Sequence, residues 1–135
     1  MSSANGTAPT FSMDELIDKL AFVVGKLDAE IVCATCINHD GTPGETKFFA
    51  SETEPKNGLP LDEVFYLAKN SSAPAMLFTS TASAPFDQIH GCDIDFTKRL
   101  ITAGAANGVE VIDHILVHKD EWVSLAESTD LWSAA

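Results

Sequence analysis

Helical and extended patterns take turns along this chain, and their order narrows the fold more than any single motif does. Ser12-Met13-Asp14-Glu15 has the form of a capping box, in which the serine accepts from the Glu15 backbone N–H while the glutamate reaches back. Met13, Leu16, Ile17, Leu20, Val24 and Leu27 then recur at helical spacing, which predicts a helix of about four turns. Glu30 to Asn38 is rich in Ile, Val, Thr and Cys, and the Asp40-Gly41 pair after it predicts a turn into a second strand near Lys47 to Ala50. A polar loop is expected over Glu52 to Gly58. Leu61, Val64, Phe65 and Ala68 mark a second helix ending near Asn70, and Ala75 to Thr79 reads as a short apolar strand.

Ser80 to Gly91 has no periodic pattern and is expected to be a loop, the segment best placed to carry function. Asp93 to Ala106 predicts a helix with Asp93 as N-cap, Ile94, Thr97, Ile101 and Ala105 on its apolar face, and Gly108 as a left-handed cap. Val109 to Val117 predicts a strand. Ser124-Leu125-Ala126-Glu127 is a second capping box opening a short terminal helix. The order predicts one mixed-sheet α/β domain with about three main helices over residues 12–135, behind a flexible lead-in of residues 1–11.

Charge narrows the choice of partners. Among 135 residues the net charge is −12, and Arg99 is the single arginine among eight basic residues. Nucleic acid is not expected, because binding it draws on lysine and arginine displacing condensed counterions. The chain has neither a long apolar run nor a signal-like start, so a cytoplasmic protein with no membrane association is expected, with its three cysteines reduced.

Three groups of residues could carry chemistry. Cys33-Ala34-Thr35-Cys36 matches CxxC, but an odd separation within a strand sends the two thiols to opposite faces, which predicts ordinary buried cysteines. His114 lies in an apolar strand and is expected to be a satisfied structural histidine. His90-Gly91-Cys92-Asp93 clusters three potential metal ligands, although a helix cap already accounts for Asp93.

The run Asp93-Ile94-Asp95-Phe96-Thr97-Lys98-Arg99-Leu100, then Ala103-Gly104, then Gly108 to Val117, resembles the C-terminal half of RadC proteins. Ser124 and Glu127 fit that family's closing S-x-x-E, and the likeness extends in pattern from about Met13 to Leu131. The resemblance implies a JAB/MPN domain of cytidine-deaminase-like architecture, the fold of the JAMM metallopeptidases. Such a centre combines a glutamate on an early strand with H-x-H, seven residues, a serine, two residues and an aspartate. Three protein ligands hold zinc there, and the glutamate takes a proton from the bound water. Laid on that pattern, Glu30 fits the general base and Asp93 the aspartate ligand. His90 fills the serine position, and Ser80 and Ala82 fill the two histidine positions. The family loop H-N-H-P-S-G is replaced by Ser80-Thr81-Ala82-Ser83-Ala84-Pro85.

These assignments predict a catalytically inactive JAB-like domain, a pseudoenzyme without cofactor. It would bind a protein or peptide, or a second copy of the chain, in the old substrate groove near Ser80 to Cys92, with Ser80, Ala82 and Ser83 as binding residues. One alternative is a metal-dependent hydrolase whose zinc site is rebuilt from His90, Cys92 or Asp93, and Glu30. Another is a small-molecule binder using the vacated pocket.

Overall fold

A computed structural model of the chain describes residues 12–27, 30–51, 59–82, 89 and 91–133. The lead-in expected for residues 1–11 and the polar loop expected for 52–58 lie outside the described residues. In order the elements are α1 (Met13–Lys26), β1 (Glu30–Ile37), β2 (Pro43–Ser51), α2 (Leu61–Asn70), β3 (Ala75–Thr81), α3 (Gly91–Ala106), β4 (Glu110–His118), β5 (Glu121–Ser124) and α4 (Leu125–Ser128). The five strands form one sheet in the order β2-β1-β3-β4-β5. Only β3 and β4 run parallel, as α3 carries the chain across between them. The described residues thus make an α/β fold with a mixed sheet and four helices, the short α4 included.

Alternation along β1 separates two cores. Ile31, Cys33 and Ile37 pack with Ile17, Leu20, Ala21 and Val24 of α1, together with Leu77, Ile115 and Val117. Val32, Ala34 and Cys36 face the other way, onto Val64, Phe65 and Ala68 of α2 and Phe96 and Leu100 of α3. The two CxxC thiols therefore lie in different layers, as an odd separation in a strand requires. Each layer also holds one indole. Trp122 packs on the α1 side and donates from Nε1 to Asp18 Oδ1 at 2.9 Å, whereas Trp132 packs on the other side and donates to the Val111 carbonyl at 2.6 Å.

Local signals account for most element ends. The Ser12 hydroxyl accepts from Glu15 N–H, and the Ser124 hydroxyl accepts from Glu127 N–H, as both capping boxes predict. Gly41 and Gly108 take positive φ at the hairpin turn and beyond α3. The Ser124 hydroxyl also donates to Asp113 Oδ2 at 2.5 Å, while Asp113 Oδ1 accepts from the backbone N–H of His114 and of Ala126. One carboxylate thus ties β4 to β5 and to the start of α4.

Several boundaries and one helix phase differ from the sequence expectation. β2 begins at Pro43 rather than near Lys47, and β3 continues through Ser80 and Thr81, which were expected in a loop. α3 begins at Gly91, so Asp93 is its third residue and not its N-cap. The buried face of α3 is Asp93, Phe96, Thr97, Leu100 and Gly104, while Ile94 and Ile101 are only half-buried and Ala105 is exposed. The reason lies in Gly104, which lets the helix come down on the sheet. A Cβ there would stand 2.7 Å from the Val109 carbonyl oxygen and 2.8 Å from Val111 Cγ2. Gly104→Ala is therefore expected to destabilise the fold by about 1–3 kcal/mol, although alanine is the better helix former. Chemical denaturation would measure this, and a neutral result would mean that α3 is not seated as described.

Candidate functional site

A one-residue irregularity in β4 determines which side chains meet. Met76 pairs with Val111 and Leu77 with Asp113, so Ile112 has no partner of its own across the β3–β4 ladder. Strict alternation from Val111 would send His114 to the α1 side; the extra residue turns it toward α3 instead. His114 is fully buried there, edge-on to the Phe96 ring at 5.6 Å between centroids.

Both ring nitrogens of His114 are within hydrogen-bond distance of hydroxyls, Nε2 of Ser80 Oγ at 2.6 Å and Nδ1 of Thr97 Oγ1 at 2.7 Å. The count of protons orders the chain. Thr97 donates its one hydroxyl proton to the Asp93 carbonyl at 2.7 Å, so it accepts from Nδ1–H, and in the neutral imidazole this leaves Nε2 to accept from Ser80. The result is a directed run from Ser80 on β3, through His114 on β4, to Thr97 and the first turn of α3. It superficially resembles a nucleophile activated by a histidine base. Ser80, however, has no solvent exposure, so its hydroxyl serves here as an internal donor.

The site residues expected from the sequence divide between surface and interior. Glu30 is exposed at the start of β1, near β3, where Ile31 N–H donates to Thr81 Oγ1 at 3.1 Å. Ser80 and Ala82 are buried, so they belong to the interior and not to an open groove, and Ala82 packs with Leu116 and Leu125. Asp93 is buried at 1% exposure, whereas Cys92 beside it is exposed, because consecutive helical residues point about 100° apart. Ser83 and His90 lie outside the described residues. Thr97 and Asp113 carry polar networks that the sequence reading did not assign. The signal for Thr97 was a threonine on the face of α3 that had to cover a buried histidine.

A zinc centre of the JAMM form needs three protein donors. Here the two histidine positions hold a hydroxyl already bonded to His114 and a methyl group, and no three His, Cys, Asp or Glu side chains cluster for a metal among the described residues. The described residues do not fit that metal. The CxxC thiols do not supply a substitute. Burial pushes the Cys33 thiol up to about 11, against a smaller opposing effect from the Thr35 hydroxyl, and burial also raises Cys36. Both are thiols at neutral pH, on opposite sides of the sheet.

A mixed sheet with a helix crossing between its parallel strands, and with a buried acid in that helix's first turn, is consistent with a domain of the JAB/MPN type. The family model for the RadC-like JAB domain matches residues 11–130, and the chain belongs to that family. Among curated proteins, it is 36% identical over 67 residues to a UPF0758 protein of Alkaliphilus metalliredigens (strain QYMF). It is 39% identical over 69 residues to UPF0758 protein lwe1562 of Listeria welshimeri, and 41% identical over 69 residues to UPF0758 protein lin1584 of Listeria innocua. The matched stretch is 50% of this chain in the first case and 48% in the others, and 29% of each relative's length. No described helix is long and apolar enough to cross a membrane.

Two measurements check this site. Ser80→Ala leaves His114 Nε2 without its donor and is expected to cost about 1–3 kcal/mol. Thr97→Val should cost a similar amount, with the double variant losing less than the sum because both act through one ring. Additive losses in denaturant titrations would contradict the shared network. Separately, a thiol reagent should modify Cys92 quickly in the native protein, with Cys33 and Cys36 reacting only as fast as the fold opens. Three fast thiols would show that the two cores are open.

Proposed function

We propose that this chain is a RadC-like JAB domain without hydrolytic chemistry, which acts by binding a protein or peptide at the end of the sheet where Glu30 and Cys92 are exposed. One observation carries the reading. At the first of the family's histidine positions stands Ser80, and its hydroxyl is used within the fold, hydrogen-bonded to His114 Nε2. The second position, Ala82, offers no donor atom. Asp93 remains at the aspartate position and Glu30 at the base position, but a single carboxylate does not hold zinc against water. What the fold retains in good order is its packing and its surface. Binding is therefore the activity left for it, with no cofactor required.

The test combines metal with capture. Protein purified without tag or chelator is expected to contain no stoichiometric metal by mass spectrometry, and to bind zinc no more tightly than about millimolar in titration. Near-stoichiometric metal would overturn the proposal in favour of a rebuilt centre drawing on His90. Glu30→Gln should change stability by less than about 0.5 kcal/mol, since the side chain is exposed. Partners retained by the native chain should be lost from a Glu30→Lys, Cys92→Arg double variant; retention would move the binding surface elsewhere.

A further inference from the structure

We propose that two copies of this chain pair along the outer edge of β2, antiparallel and centred on Thr46, so that the two sheets join into one. β2 is nine residues long, pairs on one side with β1, and stands at the end of the strand order. From Pro43 to Phe48 every residue is exposed, with Phe48 at 43%. A long edge strand with uncovered peptide groups is a template for another strand, and proteins usually blunt such edges. The other edge of this sheet is blunted: β5 has four residues and follows the Lys119-Asp120 turn.

The charge on β2 identifies the occupant. In a chain of net charge −12, the segment Pro43 to Phe49 carries one acid, Glu45, and one base, Lys47, and is neutral. A second copy can therefore approach here with less repulsion than over most of the surface. Registers differ in what they put opposite these groups. Centring on Glu45 sets two acids face to face, and centring on Lys47 sets two bases. Centring on Thr46 puts Glu45 of each copy opposite Lys47 of the other, giving two cross-strand ion pairs on one face. In the same register Phe48 lies opposite Gly44, whose lack of a side chain leaves room for the ring. Thr46 meets its own copy at the centre, and Phe49 falls opposite Pro43. The irregularity in the β1–β2 ladder falls between Pro43 and Thr46, where Gly44 and Glu45 together stand against Cys36, and it leaves the pairs from Thr46 to Ser51 regular; the second copy meets Glu45 on the opposite edge of this bulge. This contact uses a different edge from the proposed binding surface and does not depend on that reading.

Sedimentation of the full chain over about a hundredfold range of concentration should show a reversible monomer–dimer equilibrium. Lys47→Glu alone and Glu45→Lys alone should each weaken association by about tenfold, because each sets like charges opposite one another twice. The double exchange Glu45→Lys, Lys47→Glu should restore it, since the pairs are remade with reversed sign. Amide protons on the outer edge of β2 should exchange more slowly at high concentration than at low. A chain that stays monomeric, a dimer indifferent to Lys47→Glu, or a double exchange that fails to restore pairing would each overturn the proposal. In the last two cases a different face, or a strand from another protein, would be the occupant to seek.

Discussion

His114 sits where the middle of the sheet meets α3, and both of its ring nitrogens are engaged by hydroxyls. A buried imidazole left without partners would cost several times what an exposed one does, so this position is tolerable only if β3, β4 and α3 keep their relative places. Ser80 fixes the ring from the sheet and Thr97 fixes it from the helix. Through the Asp93 carbonyl the run also ties down the first turn of α3, where the acidic side chain of Asp93 suits the helix dipole. The hydrophobic layers supply most of the driving force for folding, but they are indifferent to small slides of a helix over a sheet. The polar run is what makes one placement better than its neighbours.

Much of the fold was legible in the sequence, because its signals are local. Ser12 and Ser124 announce two helix starts, Gly41 and Gly108 mark the positions that need positive φ, and odd spacing alone assigns Cys33 and Cys36 to separate cores. What escaped depends on contacts between distant segments. The phase of α3 was read from Ile94 and Ile101, whereas the helix turns Phe96, Leu100 and Gly104 inward, since the groove formed by Val109, Val111 and Phe65 accepts a glycine and not a larger residue. Hydrophobicity ranks isoleucine as inward but cannot register a close approach of backbones.

The candidate site was legible as a list of positions and not as an arrangement. Family resemblance aligned Ser80, Ala82 and Asp93 with metal ligands, and the chain does belong to the RadC-like JAB domain family. Nothing in that alignment said that Ser80 is the last but one residue of a strand, or that it bonds to His114. That bond depends on Ile112 being skipped in the ladder with β3, and a single inserted residue leaves no mark in a run whose apolar residues, Val111, Ile112, Ile115, Leu116 and Val117, do not alternate with polar ones. His114 could be recognised as structural because a strand histidine must be satisfied; its partners could not be named until the register was known.

The placement of the two indoles gives the protein a built-in pair of optical reporters. Trp122 and Trp132 are the two tryptophans of the chain, and each belongs to a different layer, with its N–H on a different acceptor. Trp122 donates to an exposed carboxylate contact on α1, so its emission follows the seating of that helix. Trp132 donates to a backbone carbonyl beside the bulge in β4, so its emission follows the register on which the buried histidine depends. Replacing one indole by phenylalanine leaves a chain in which light reports a single face of the sheet, and the order in which the two layers come apart can be read without any added label.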